Sequence, residues 1–72
     1  MLELNLTGLN CPLPVLKTKK FLANLESGCL VQVITSDPAS LVDLEDFCTK
    51  TGHILISQET TNNLITSVIK RR

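Results

Sequence analysis

Tryptophan and tyrosine are absent from this chain, and the only aromatic side chains besides its single histidine are Phe21 and Phe47. Stacking platforms for nucleic-acid bases are therefore missing. Net charge is missing too, because seven Lys/Arg balance seven Asp/Glu. Without a basic footprint, direct nucleic-acid binding is not expected. Long apolar runs are lacking as well. A membrane helix needs about 20 successive apolar residues, whereas the runs here are only a few residues long, so no membrane span is expected. A secretory leader starts basic and continues apolar, but Met1 to Leu9 alternates. Cysteine is scarce and odd in number, at three. Small secreted domains use an even, dense set as staples. A zinc site sets its ligands about two to four residues apart. Cys11, Cys29 and Cys48 lie far apart and His53 is the only histidine. Neither a metal nor any other cofactor is expected.

What is present is 72 residues, 43% of them hydrophobic. That length allows one domain, residues 1–72. A folded chain of this size exposes roughly 4,400 Å² and hides about 60% of its unfolded surface. It supports one thin core and leaves no room for a deep, enclosed active site. Hydrophobicity with zero net charge excludes intrinsic disorder. The expectation is a soluble, cytoplasmic α/β protein.

Leu2, Leu4 and Leu6 alternate with Glu3 and Asn5, the period of a half-buried strand. Thr7 to Asn10 is turn chemistry, followed by Cys11-Pro12-Leu13-Pro14. Proline suits a first helical turn, where its missing N–H would be unpaired anyway. The helix should carry Val15, Thr18, Leu22 and Leu25 on its apolar stripe, with Phe21 beside it, and end at Gly28. Cys29 to Thr35 reads as a central strand, with apolar residues at both parities. Asp37 is the expected N-cap of a second helix and Pro38 its first residue. Leu41, Leu44, Phe47 and Cys48 form the buried stripe of that helix; Asp43, Glu45 and Asp46 face outward; Gly52 closes it. A third strand begins at Ile54, Thr60 to Asn63 is a turn, and Leu64 to Ile69 is a fourth strand. The order β-α-β-α-β-β implies a parallel crossover followed by a hairpin. Two helices with one apolar stripe each should cover one face of a four-stranded mixed sheet, a two-layer sandwich.

Cys11 is the residue placed for chemistry. It sits at or beside the N-cap, where the helix dipole places about half a positive charge and unpaired N–H groups point outward. Both favour thiolate over thiol, so a lowered pKa is expected. Pro12 and Pro14 fix the backbone that presents it. Cys29 and Cys48 read as small core residues, and His53 as a strand-start residue rather than a general base. Lys17 and Lys20 share a helix face and form a candidate docking patch for an acidic partner. Lys70, Arg71 and Arg72 read as a solubilising tail.

The segment Gly8-Leu9-Asn10-Cys11-Pro12-Leu13-Pro14-Val15-Leu16-Lys17 resembles the signature of the TusA (SirA-like) sulfur-carrier family. Gly28, Asp37-Pro38, Asp43 and Thr51-Gly52-His53 follow in the family's order, so the resemblance covers essentially the whole chain. It implies a two-layer α/β sandwich. It also implies that Cys11 accepts a sulfane sulfur from a cysteine desulfurase or other donor protein, becomes a persulfide, and hands the sulfur to an acceptor protein. In the family's best-known branch that relay leads to thiolation of tRNA wobble uridine. The family often has Asp-x-Arg-Gly ahead of its cysteine; here Asn5 and Thr7 stand at those positions before Gly8. Two other readings stay open: a non-catalytic regulatory module of the same fold, and a thiol redox sensor.

Overall fold

Alternation and turn chemistry together cut the chain into six elements. The computed structural model describes all residues, Met1–Arg72. The elements are β1 (Leu2–Leu6), α1 (Leu13–Ala23), β2 (Leu30–Thr35), α2 (Ser40–Thr51), β3 (Ile54–Thr61) and β4 (Leu64–Lys70). They build one four-stranded sheet in the order β1-β2-β4-β3. The β1–β2 pair is parallel, and β4 runs antiparallel to both β2 and β3. This is the expected mixed sheet, with β2 and β4 at its centre.

Register shows why one face is buried. Leu4 lies beside Val33, Val33 beside Ser67, and Ser67 beside Gln58. The neighbouring row runs Leu2, Val31, Ile69 and Leu55. Side chains two residues apart on a strand share a face, and on β3 the register shift between Leu55 and Ser57 brings Leu55 and Gln58, three apart, into the same two rows, so these rows form the surface on which both helices pack. Val31, Val33, Leu22, Leu44 and Ile69 are fully buried there. Each is worth roughly 1.5–3 kcal/mol of burial. The total exposed surface, 4456 Å², matches the size expectation.

Polar groups inside this layer are paired. Gln58 Nε2 donates to Ser67 Oγ (3.2 Å) and to Leu41 O (3.1 Å). Ser40 Oγ donates to Asp37 O (2.7 Å), so the Thr35 hydroxyl is the donor in the buried Thr35–Ser40 pair. Thr18 is the exception: its hydroxyl is fully buried against the core without a partner.

The structure corrects several boundaries. α1 stops at Ala23 rather than at Gly28. Asn24 folds back there, its Nδ2 donating to Lys20 O (3.2 Å), and Arg71 Nε takes Leu22 O (2.9 Å). The terminal carbonyls are thus capped by side chains. Gly28 (φ +89°) instead makes the turn into β2. Arg71 is consequently no free tail residue: its N–H also bonds Cys29 O (2.8 Å) and its carbonyl accepts Gly28 N–H (2.9 Å). Cys29 precedes β2 and is only half-buried, outside the apolar cluster, whereas Cys48 lies within it. α2 begins at Ser40, with Ala39 at the N-cap position, because Pro38 and Ala39 form a preceding turn. Thr60 and Thr61 belong to β3, and Asn62 (φ 51°) and Asn63 (φ 65°) alone form the hairpin turn. Asparagine tolerates that left-handed conformation, and a two-residue turn of this hand matches the strand twist.

Candidate functional site

Two adjacent parallel strands end at the same edge of the sheet, the edge where α/β folds place their sites. β1 ends at Leu6 and β2 at Thr35, which are partners in register. The loop from Thr7 to Pro12 leaves this edge and is held by named bonds. Asn5 Oδ1 accepts both the N–H (3.0 Å) and the hydroxyl (2.8 Å) of Thr7, closing a local turn. Gly8 has φ +84°, where a Cβ is strained, and its N–H donates to Ser36 Oγ (2.8 Å). The N–H of Cys11 donates to Asp37 Oδ2 (2.8 Å), while Asp37 Oδ1 accepts Ala39 N–H (3.1 Å). Asp37 is therefore more than a local cap: it ties the Cys11 loop to the turn before α2. These two N–H donors hold its carboxyl below the usual carboxylate range.

α1 starts at Leu13, with Pro12 at the N-cap position and Pro14 buried in the first turn. Cys11 thus lies just before the cap, with its side chain exposed. It stands in an open groove of about 420 Å³ between the helices. Pro12, Val15 and Leu16 line the α1 side, Asp43 and Phe47 the α2 side, and Lys19, Asp46, Lys50 and Thr51 complete the walls. Of the residues expected to position the cysteine, Gly8 lies in the loop before it, Pro12 follows it directly and Pro14 is buried in the first turn of α1. Lys17 and Lys20 are not brought to this groove; they line a separate depression with Leu4, Phe21 and Asn24. The lysines that line the groove with Cys11 are Lys19 and Lys50.

The electrostatics reverse the expected direction. The Cys11 thiol is raised above its ordinary pKa. The first cause is its interaction with the Asp43 carboxylate, to which the thiol form can donate; desolvation and the negative charges of Asp43 and Asp37 add to it. Asp43 does not face outward as expected. It is half-buried, and its Oδ2 is fully buried with no donor in full hydrogen-bond geometry. Prolines remove N–H groups at the helix start, and Asp37 already occupies the N–H of Cys11. The carboxylates of Asp43 and Asp37, with desolvation, set the direction of the shift. Asp43 belongs to the groove rather than to the outer face: it lies three residues after buried Ser40 and four before buried Phe47, a spacing that sets it at the margin of the buried stripe of α2.

His53 is engaged elsewhere. Its Nδ1 accepts the Arg72 N–H (3.0 Å), and its ring lies 5.6 Å from that of Phe47. Partial burial, then the charges of Arg71 and Arg72, hold its pKa low. The imidazole is a structural acceptor, not a base for Cys11. Cys48 is pushed up to about 11 by burial alone.

Comparison with known proteins bears on the family and the fold. The family model described as sulfurtransferase TusA matches residues 2–71. The chain is 39% identical over 69 residues to the sulfur carrier protein TusA of Allochromatium vinosum, covering 96% of this chain and 91% of that one. It is 43% identical over 56 residues to the Pseudomonas putida protein of the same name, covering 78% and 70%. The crystal structure of a SirA-like protein from Desulfitobacterium hafniense superposes with a TM-score of 0.85 at 31% identity, covering 97% of this chain and 96% of that one.

Proposed function

The chain belongs to the TusA family, and from that premise we propose that it carries sulfur as a persulfide on Cys11. The supporting observation is an exposed thiol whose backbone is pinned by Asp37 at the mouth of an open groove. A small carrier needs no enclosed pocket. It needs one accessible sulfur and a surface around it that admits another protein's reactive cysteine.

The step is a thiol exchange. Cys11, having lost its proton to solvent, attacks the outer sulfur of a donor persulfide supplied by a cysteine desulfurase. A new S–S bond forms at Cys11, the donor's own S–S bond breaks, and the donor cysteine leaves as a thiolate that regains a proton. The reverse geometry serves delivery, with an acceptor thiolate attacking the outer sulfur on Cys11. Exposed Leu13 and Leu16 flank the thiol and offer apolar contact to either partner. Lys17 and Lys20, on the other flank of α1, supply a second contact for an acidic surface. The acceptor branch we propose is the relay toward 2-thiolation of tRNA wobble uridine.

Incubation with a cysteine desulfurase and cysteine, followed by intact mass measurement, tests the reading. One added sulfur mass is expected, absent in Cys11→Ser and retained in Cys29→Ser. No gain, or a gain that survives Cys11→Ser, rejects it. Restoration of wobble thiolation in a deletion strain by Cys11→Ser would instead mark a regulatory module.

A further inference from the structure

We propose that Asp43 selects the sulfur partner: it favours a cysteine that sits beside a cationic group, whose charge seats on the Asp43 carboxylate as the two sulfurs meet. This rests on the carrier reading of Cys11 and names the partner chemistry of that site.

The groove wall carries an unmet demand. Asp43 Oδ2 is buried and has no donor in full hydrogen-bond geometry; the Cys11 thiol is the group of this chain that interacts with the carboxylate. A desolvated acceptor without a partner is costly, and more so when charged. No basic group of the chain serves it, since the one ion pair in the structure joins Lys50 to Asp46 at 3.8 Å. Asp43 and Cys11 line the same open groove, so a cation entering it beside the sulfur meets the Asp43 carboxylate.

The other half of the fit is the partner's own chemistry. A cysteine that reacts as thiolate characteristically has Lys, Arg or protonated His next to it. Such a partner brings a cation together with its sulfur. Cys11 offers little to a bare anion. Pro12 and Pro14 have no N–H, and the N–H of Cys11 is taken by Asp37. An incoming thiolate without a cation meets the Asp37 and Asp43 carboxylates, the charges that act on the Cys11 sulfur; of the groove's two lysines, Lys50 is paired with Asp46 and Lys19 makes no ion pair. Pairing also neutralises the carboxylate that keeps the Cys11 thiol protonated. Docking of the right partner and release of the nucleophile then become one event.

Small disulfides test this without the partner. The reduced chain is offered cystamine, which carries ammonium groups, and the uncharged bis(2-hydroxyethyl) disulfide. In both, the Cys11 thiolate forms a new S–S bond with one sulfur, the old S–S bond breaks, and the departing thiolate takes a proton from water. Modification of Cys11 is followed by peptide mass. The cystamine-to-neutral rate ratio is divided by the same ratio measured for 2-mercaptoethanol.

The corrected ratio should favour cystamine about fivefold at low salt, the scale of an exposed charge pair. Asp43→Asn and Asp43→Ala should bring it to about one, and Glu45→Gln, on the solvent side of α2, should leave it unchanged. A ratio near one in the unmodified chain overturns the proposal, as does one kept in either folded Asp43 variant or lost equally in Glu45→Gln. The anionic dithiodiglycolate adds a measurement that needs no variant: it must react more slowly than the neutral disulfide. The sulfur-loading assay is independent. A chain that prefers cystamine but takes no sulfur keeps this role of Asp43 and loses the carrier reading; a chain that loads sulfur without charge preference does the reverse.

Discussion

Cys11 and Cys48 are both thiols held above their ordinary pKa, by opposite kinds of surroundings. Cys48 is raised by burial among Leu22, Leu44, Val33 and their neighbours. Cys11 is exposed, and carboxylates raise it. A shift caused by burial disappears only when the core opens. A shift caused by a neighbouring charge disappears when another molecule neutralises that charge. The core thiol is permanently inert, whereas the groove thiol can be switched. The two regions are also built differently. The core rests on packed apolar area, and the groove end on a few directional bonds: Gly8 to Ser36, Cys11 to Asp37, Asn5 to Thr7.

The sharpest way to break this comparison is selective alkylation. Iodoacetamide should modify Cys11 in the native protein while Cys48 reacts only through opening, slower by orders of magnitude; peptide mapping over time reads both. Equal rates would collapse the distinction. Leu44→Ala should weaken the core by about 2–5 kcal/mol, seen as a lower urea midpoint, and should speed Cys48 labelling far more than Cys11 labelling. Gly8→Ala probes the groove end. No atom lies within 4 Å of the added Cβ, so only the φ of +84° opposes it. A loss of about 1 kcal/mol is expected, with the core thiol equally protected once opening is allowed for.

Two smaller effects sharpen the electrostatic half. Asp43→Asn should move the alkylation profile of Cys11 to lower pH, because its main pKa-raising partner is gone. Cys48 should keep its profile, and a parallel movement of both would mean a general loosening. Asp37→Asn concerns acid stability. The Asp37 pKa is lower folded than unfolded, so its contribution is present above the unfolded value and fades as pH falls through the folded one. The gap in urea midpoint between the parent chain and Asp37→Asn should be visible at neutral pH and close in acid.

Much of this was legible in the residues. The alternation of Leu2, Leu4 and Leu6, the break at Thr7 to Asn10 and the proline pair mark β1, the loop and the helix start within a residue or two. The Gly8-to-Pro14 motif singles out Cys11 and leads to the family. Local signals failed where a distant partner took over. Gly28 looks like a helix stop, but Asn24 and Arg71 end α1 first. Arg71 looks like a tail, but it extends the central β2–β4 pairing through Gly28 and Cys29. Lys17 and Lys20 look like neighbours of Cys11, yet the turn of α1 carries them to the β1 side.

The residues alone dictate the order of elements, the two-layer arrangement and the placing of one cysteine at the start of the first helix. Periodicity, proline and glycine are local properties, and they constrain the backbone wherever it goes. Tertiary packing settles the direction in which the pKa of that cysteine moves. A helix start predicts a lowered pKa, but the field at a sulfur sums every nearby charge, and Asp37 and Asp43 reach it from the next strand–helix unit. Electrostatics act through space, so they become definite only when β1 and β2 lie side by side and the two helices close the groove between them.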